Sequence, residues 1–109
     1  MQFVNLTPHA ITIEKSDGTH ITITATVPAA RIQHHNVVCD DIAGIPISQV
    51  QYGAVEHLPA PQPDTLYVVS AMVAQQCRDR IDVVAPDTGS SAIRDDAGRI
   101  VAVRGFVRY

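Results

Sequence analysis

The chain has only two cysteines, Cys39 and Cys77. One bridge is possible, but two cysteines do not make the disulfide framework of a small secreted scaffold. No apolar run approaches the ~18 residues that a membrane helix requires, so no membrane span is expected. The amino terminus, Met1 to His9, has neither a basic leader nor a long apolar segment and reads as mature protein from its first residue. Gly44, Gly53, Gly89, Gly98 and Gly105 are isolated, which leaves no glycine-rich phosphate loop. Nothing repeats at a fixed period, and no tract is long enough to separate two domains. These absences point to a soluble protein of a reducing, cytoplasmic compartment.

Free positive charge is also scarce. The net charge is −3. Before Arg78, Lys15 and Arg31 stand against Glu14, Asp17, Asp40, Asp41, Glu56 and Asp64. From Arg78 onward, Arg78, Arg80, Arg94, Arg99, Arg104 and Arg108 are interleaved with Asp79, Asp82, Asp87, Asp95 and Asp96, with no lysine among them. A surface that tracks a duplex needs several unpaired cations to release counterions. Nucleic acid is therefore not an expected partner.

What is present suits one domain spanning residues 1–109 with one modest core. The chain is 46% apolar and 17% charged, an ordinary globular balance. A chain of 109 residues buries about two-thirds of its unfolded surface and needs no metal or staple to fold. Gln2–Leu6 reads as a first strand, with Thr7-Pro8 a turn. Ile11–Glu14 and Thr19–Thr24 flank Lys15-Ser16-Asp17-Gly18, a strong hairpin signal that turns Ile21 and Ile23 to the core. His34–Asp41 is ambiguous, and Ile45–Tyr52 reads as extended with one slip of phase. Leu58–Asp64 has proline at every second position and reads as a stiff surface crossing.

Leu66–Val69 is an apolar strand that leads to Ser70, placed to cap a helix near 71–80. Val69, Val73 and Cys77 would share its buried face. Ile81–Ala85 is a further strand, and Ser91–Val107 reads as a hairpin turning at Asp95–Gly98. The sum is an α+β domain: a mostly antiparallel twisted sheet or partial barrel with one short helix.

Asp87-Thr88-Gly89-Ser90 carries the letters of an aspartic-protease carboxylate, but it comes too late in the chain and a proline abuts the aspartate. It reads as a turn in which Asp87 bonds its own backbone and Gly89 takes positive φ. His9 reads as a residue whose ring holds the Thr7-Pro8 turn. Cys77 lies on the apolar stripe of the helix and reads as core. Ser70 lacks the flanking glycines of a hydrolase elbow. His35, Cys39 and Asp41 are the first ligands to consider for a metal, although their spacing matches no paired zinc motif; no metal or cofactor is expected.

The remaining chemistry is the mixed-charge end. Arg78, Arg80, Asp82, Arg94, Asp96 and Arg99 can be read as an intramolecular ion-pair network, as an edge for recognising another protein, or as a pocket holding a phosphate or carboxylate.

Three blocks, Phe3–His9, Leu66–Asp87 and Ile93–Val101, resemble a group of small uncharacterised proteins encoded in bacteriophage and bacterial genomes. The likeness spans about the whole length and is loosest from Ala25 to Gln51. It brings no activity and no catalytic residue, and it implies a bacterial or phage cytoplasmic setting. The leading expectation is a non-enzymatic accessory protein that contacts a protein partner or a second copy of itself. The alternative is a binder of, or enzyme on, a phosphorylated or nucleotide-like compound, clamped by the arginines.

Overall fold

The computed structural model describes residues 1–109. The fold is built outward from its most apolar segments. β1 (Gln2–Asn5), β6 (Thr65–Val68), β7 (Val83–Pro86) and β10 (Phe106–Val107) form a four-stranded sheet in the order β1-β6-β7-β10. β1 and β6 run parallel, as do β6 and β7, whereas β10 returns antiparallel to β7. Three two-stranded ribbons surround it: β2 (Ile11–Glu14) with β3 (His20–Ile23), β4 (Arg31–Ile42) with β5 (Ile45–Glu56), and β8 (Ile93–Arg94) with β9 (Ile100–Ala102). All three ribbons are antiparallel. The domain is α+β, mostly antiparallel with one short helix. The expected choice between sheet and partial barrel resolves into an open sheet, three of whose four strands are parallel.

The parallel pairing follows from burial. Val68, Val69 and Ala85 are wholly enclosed, and strands covered on both faces need no polar alternation. α1 (Ala71–Gln75) crosses between β6 and β7 and lays Val73 and Ala74 on the sheet. Ser70 caps it as its place in the sequence predicts, its Oγ accepting from the Val73 N–H. The helix is shorter than the expected span to residue 80. After Gln75 the chain tightens into three-residue turns, with the N–H of Cys77 donating to Ala74 and that of Arg80 to Cys77. Cys77 is the last side chain of the stripe to reach the core. Arg78, Asp79 and Arg80 offer nothing to bury, and the chain must fold back to start β7 beside β6. β7 accordingly begins at Val83, two residues beyond the expected start, and Ile81 is left 78% exposed.

The core gathers Leu6, Ala30, Tyr67, Val69, Val73, Ala74, Cys77, Val83 and Ala85. Asn5 is fully buried beside it and fully bonded. Its amide donates to the carbonyls of His9 and Ile23, and its Oδ1 accepts from the N–H and the Oγ1 of Thr7. This one side chain closes the Thr7-Pro8 turn and ties it to β3. The turn is thus held by Asn5 and the His9 main-chain carbonyl, not by the His9 ring.

The 11–24 hairpin forms as the Asp-Gly signal predicts, with Asp17 accepting from both the N–H and the Oγ1 of Thr19. The second hairpin is shorter than expected. It pairs only to Ala102; Val103 then bridges Ile13, and β10 leaves for the main sheet, where the Phe106 ring meets Phe3 at 5.9 Å.

The molecule measures 53 × 39 × 22 Å with a radius of gyration of 16.5 Å. A compact chain of this length would have about 13 Å. The excess is the β4–β5 ribbon, two strands of twelve residues each that leave the body.

Candidate interaction site

The β4–β5 ribbon is an arm of about 40 Å at ordinary strand rise. Its turn is the two-residue Ala43-Gly44, with φ of +54° and +82°, so both central residues are left-handed as a tight hairpin loop demands. Gly44 adopts this freely, and Asp41 Oδ1 accepts its N–H at 3.0 Å. Two bulges coil the ribbon. One lies opposite Gln33, where β5 has the additional residue; the other is at Cys39, which is additional on β4.

Only the root of the arm touches the body, where Ile32 and Val55 pack on the core. No backbone hydrogen bond joins residues 31–56 to any other part of the chain. The outward N–H and C=O groups of both strands therefore face solvent along the whole length. The side-chain bonds of the arm are internal: Gln33 to Glu56, Cys39 to the Ile47 carbonyl, and Asp41 to Gly44.

Large apolar side chains are nonetheless displayed there. Val38 is 65% exposed and Ile45 63%, with Val37, Ile42, Ile47, Val50 and Tyr52 also open. By register, His34/Tyr52, Asn36/Val50 and Val38/Ser48 share one face, and the His34 and Tyr52 rings stand 6.3 Å apart on it. His35/Gln51 and Val37/Gln49 share the other. Both faces carry apolar groups, unlike a hairpin with one core side and one water side.

No Asp, Glu, Lys or Arg occurs from Ile32 to Cys39 or from Ile45 to Val55. Exposed edges are usually blunted by charge. Here the charges sit at the two ends, Arg31 and Glu56 at the root and Asp40 and Asp41 near the tip. A shallow hollow of about 690 Å³ lies at the root beside Arg31, Gln33 and Glu56.

The residues singled out in the sequence lie elsewhere and do not converge. Arg80 and Asp82 form a two-pronged pair, Nη2 to Oδ2 at 2.6 Å and Nε to Oδ1 at 3.0 Å, with only 19% and 15% of their side chains exposed. Arg80 also donates to the Pro59 carbonyl at 2.9 Å and lies over the Tyr67 ring. Their mutual hydrogen bond holds the Asp82 carboxyl below its ordinary range and raises the Arg80 guanidinium above its own. The pair staples the proline-rich crossing to the turn before β7.

Arg78 donates to the Gln75 carbonyl. Arg94 reaches the carbonyls of Gly98 and Thr88 across the β8–β9 ribbon, Arg99 pairs with Asp95, and Asp96 is exposed on the same turn. No ion pair or hydrogen bond joins this turn to the Arg80–Asp82 pair. Arg104 pairs with Glu14, and Arg108 donates to the Ile81 carbonyl. Six of the seven arginines thus have a partner within the chain, and the one that has none is Arg31.

His35, Cys39 and Asp41 are strung along β4, and no group of three His, Cys, Asp or Glu side chains gathers anywhere as a metal site. Asp87 forms the expected turn, accepting from the Gly89 N–H and the Ser91 hydroxyl. Gly89 does not take positive φ; its role is room, since a Cβ there would lie 3.2 Å from Asp87 Oδ1. Cys77 is buried, and burial pushes its thiol pKa up, away from nucleophilic use.

A second concavity, about 370 Å³, opens at the carboxyl ends of β1, β6 and β7, where ligands bind in many parallel sheets. Thr7, His9, Ser70 and Thr88 line it with Ile100 to Val103, and no arginine does. The arm was not assembled by reading the sequence, although its charge-free stretches on either side of the tip were a usable signal. No helix is long and apolar enough to cross a membrane. In comparisons with known proteins, no family model matches the chain, and neither a curated protein nor a solved structure matches it.

Proposed function

We propose that the chain is a non-enzymatic accessory protein that acts by protein–protein contact, and that the β4–β5 arm makes the contact. One observation carries this reading. The arm holds seven open apolar side chains and two unpaired strand edges on an element with no polar tie to the body. Apolar groups set out on a projecting ribbon gain nothing for the fold of a single chain and much for an assembly. The arginine-rich end, first in line from the sequence, makes internal bonds instead, which shifts the contact to the arm. A bacterial or phage cytoplasmic setting belongs to the same reading, and the exposed Cys39 and the buried Cys77 are both free thiols.

Replacing residues 33–54 by an Asn-Gly turn tests the reading. The body should keep its cooperative melt, since the excised segment lies outside the core cluster, and every complex of the intact protein should be lost. A complex that survives the excision would end it.

The cleft at the ends of β1, β6 and β7 favours a second reading, a small-ligand binder. Its ligand would be held by hydroxyl and imidazole groups against an apolar wall, without the arginine clamp expected from the sequence. A thermal-shift screen that included nucleotides, with no stabilisation by any compound, would remove it.

A further inference from the structure

We infer that the partner of the arm is a second copy of this chain, joined through the β4 edges of two arms in an antiparallel, twofold pairing. The inference rests on the arm being the contact element and concerns what it contacts. The two edges are not equivalent. β5 carries Pro46, which has no N–H to give, and Gly53, whereas β4 runs from Arg31 to Ile42 with neither residue. A β4 edge can therefore continue the ladder on both sides of its Cys39 bulge, with about one backbone hydrogen bond per paired residue.

Charge fixes the register. Along β4 the only formal charges are Arg31 at the root and Asp40 and Asp41 near the tip. Arg31 has no carboxylate within 4.0 Å, and neither aspartate has a cation; their only bonds are to the N–H groups of the tip. An antiparallel partner reverses the strand. With the dyad at His35, which then stands opposite the partner's His35, the Cys39 bulge takes up the additional residue and Arg31 comes opposite the partner's Asp40, with the partner's Asp41 next to it. The same match recurs at the other end by symmetry. No like charges meet anywhere along this register. A β5–β5 pairing offers no such match, because Glu56 is the only charge on that strand.

The result is a four-stranded ribbon with a body at each end. Two unpaired edges are replaced by one ladder, and each unmatched charge gains a partner.

Sedimentation of the intact protein from about 1 to 100 μM tests this directly. The wild type should be a dimer. Arg31→Asp places acid against acid and should weaken dimerisation at least tenfold, as should the Asp40→Arg, Asp41→Arg double variant. Combining all three changes restores opposite charges across the dyad and should recover most of the affinity, which no merely local effect on folding would do. A monomer at 100 μM, or a dimer indifferent to the swaps, overturns the inference. A dimer that persists after excision of residues 33–54 refutes the arm itself as the contact. A monomer whose arm still binds a different protein removes only the second copy.

Discussion

The body and the arm of this protein treat the same residue types in opposite ways. In the body, Tyr67 is 2% exposed, its ring under Arg80 and its hydroxyl donating to the Ala60 carbonyl; in the arm, Tyr52 is 41% exposed beside the His34 ring. The Arg80 guanidinium is bonded on three sides, while Arg31 is bonded on none. Buried polar atoms of the body are all satisfied, yet the arm leaves two strand edges open. The body meets its bonding requirements within the chain, and the arm does not.

Paired substitutions sharpen that contrast. Tyr67→Ala should destabilise the body by about 3–5 kcal/mol, the range for a large buried aromatic, as read by chemical denaturation. Asn5→Ala removes a buried amide that makes four hydrogen bonds and should cost about 2–3 kcal/mol, with hydrogen exchange accelerated in both β1 and β3. Equal exchange in the two strands before and after would break the account of Asn5 as their tie.

Asp82→Asn should cost about 1–2 kcal/mol at neutral pH, since the pair is mostly but not wholly screened from water. The sign of its pH dependence follows from the lowered carboxyl pKa. The stabilisation is fully present above the unfolded value near 3.8 and is lost as pH falls through the lower folded value. Wild type and variant should therefore converge in stability at acid pH and separate above about 4. Tyr52→Ala lies at the small end, within about 0.5 kcal/mol on the stability of the isolated chain. Its effect should appear in association instead. A Tyr52→Ala loss as large as that of Tyr67→Ala would show that the arm belongs to the fold of the body.

The parts of the fold legible in the sequence share one property: their cause lies within a few residues. Asp17-Gly18 closes its hairpin by bonds to Thr19, and Ser70 caps α1 through Val73. The parts that were not legible depend on distant partners. Gln2–Asn5 lies parallel to Thr65–Val68, a pairing that no local pattern announces. The arm was obscured by its turn, because Ala43 stands at positive φ where asparagine or glycine would have signalled a hairpin. Neither bulge falls within Ile45–Tyr52, which alternates without interruption; its apolar residues change phase because Ile45 and Ile47 stand on one face and Val50 and Tyr52 on the other. Of the arginine-rich end, the ion pairs between near neighbours, Arg80 with Asp82 and Arg99 with Asp95, were open to a reading of the sequence, but the distant carbonyl partners were not. Arg80 binds Pro59, and Arg108 binds Ile81, across 21 and 27 residues of chain.

By itself the sequence determined the strand-rich content, the short capped helix and the Asp-Gly hairpin, because turn chemistry and alternation act between neighbours. Only the tertiary structure decided that the centre of the sheet is parallel, that the terminal arginines are engaged and that Arg31 is free. A charge is neutralised by whatever the fold brings within a few ångströms of it, and that distance is set by packing across the whole chain.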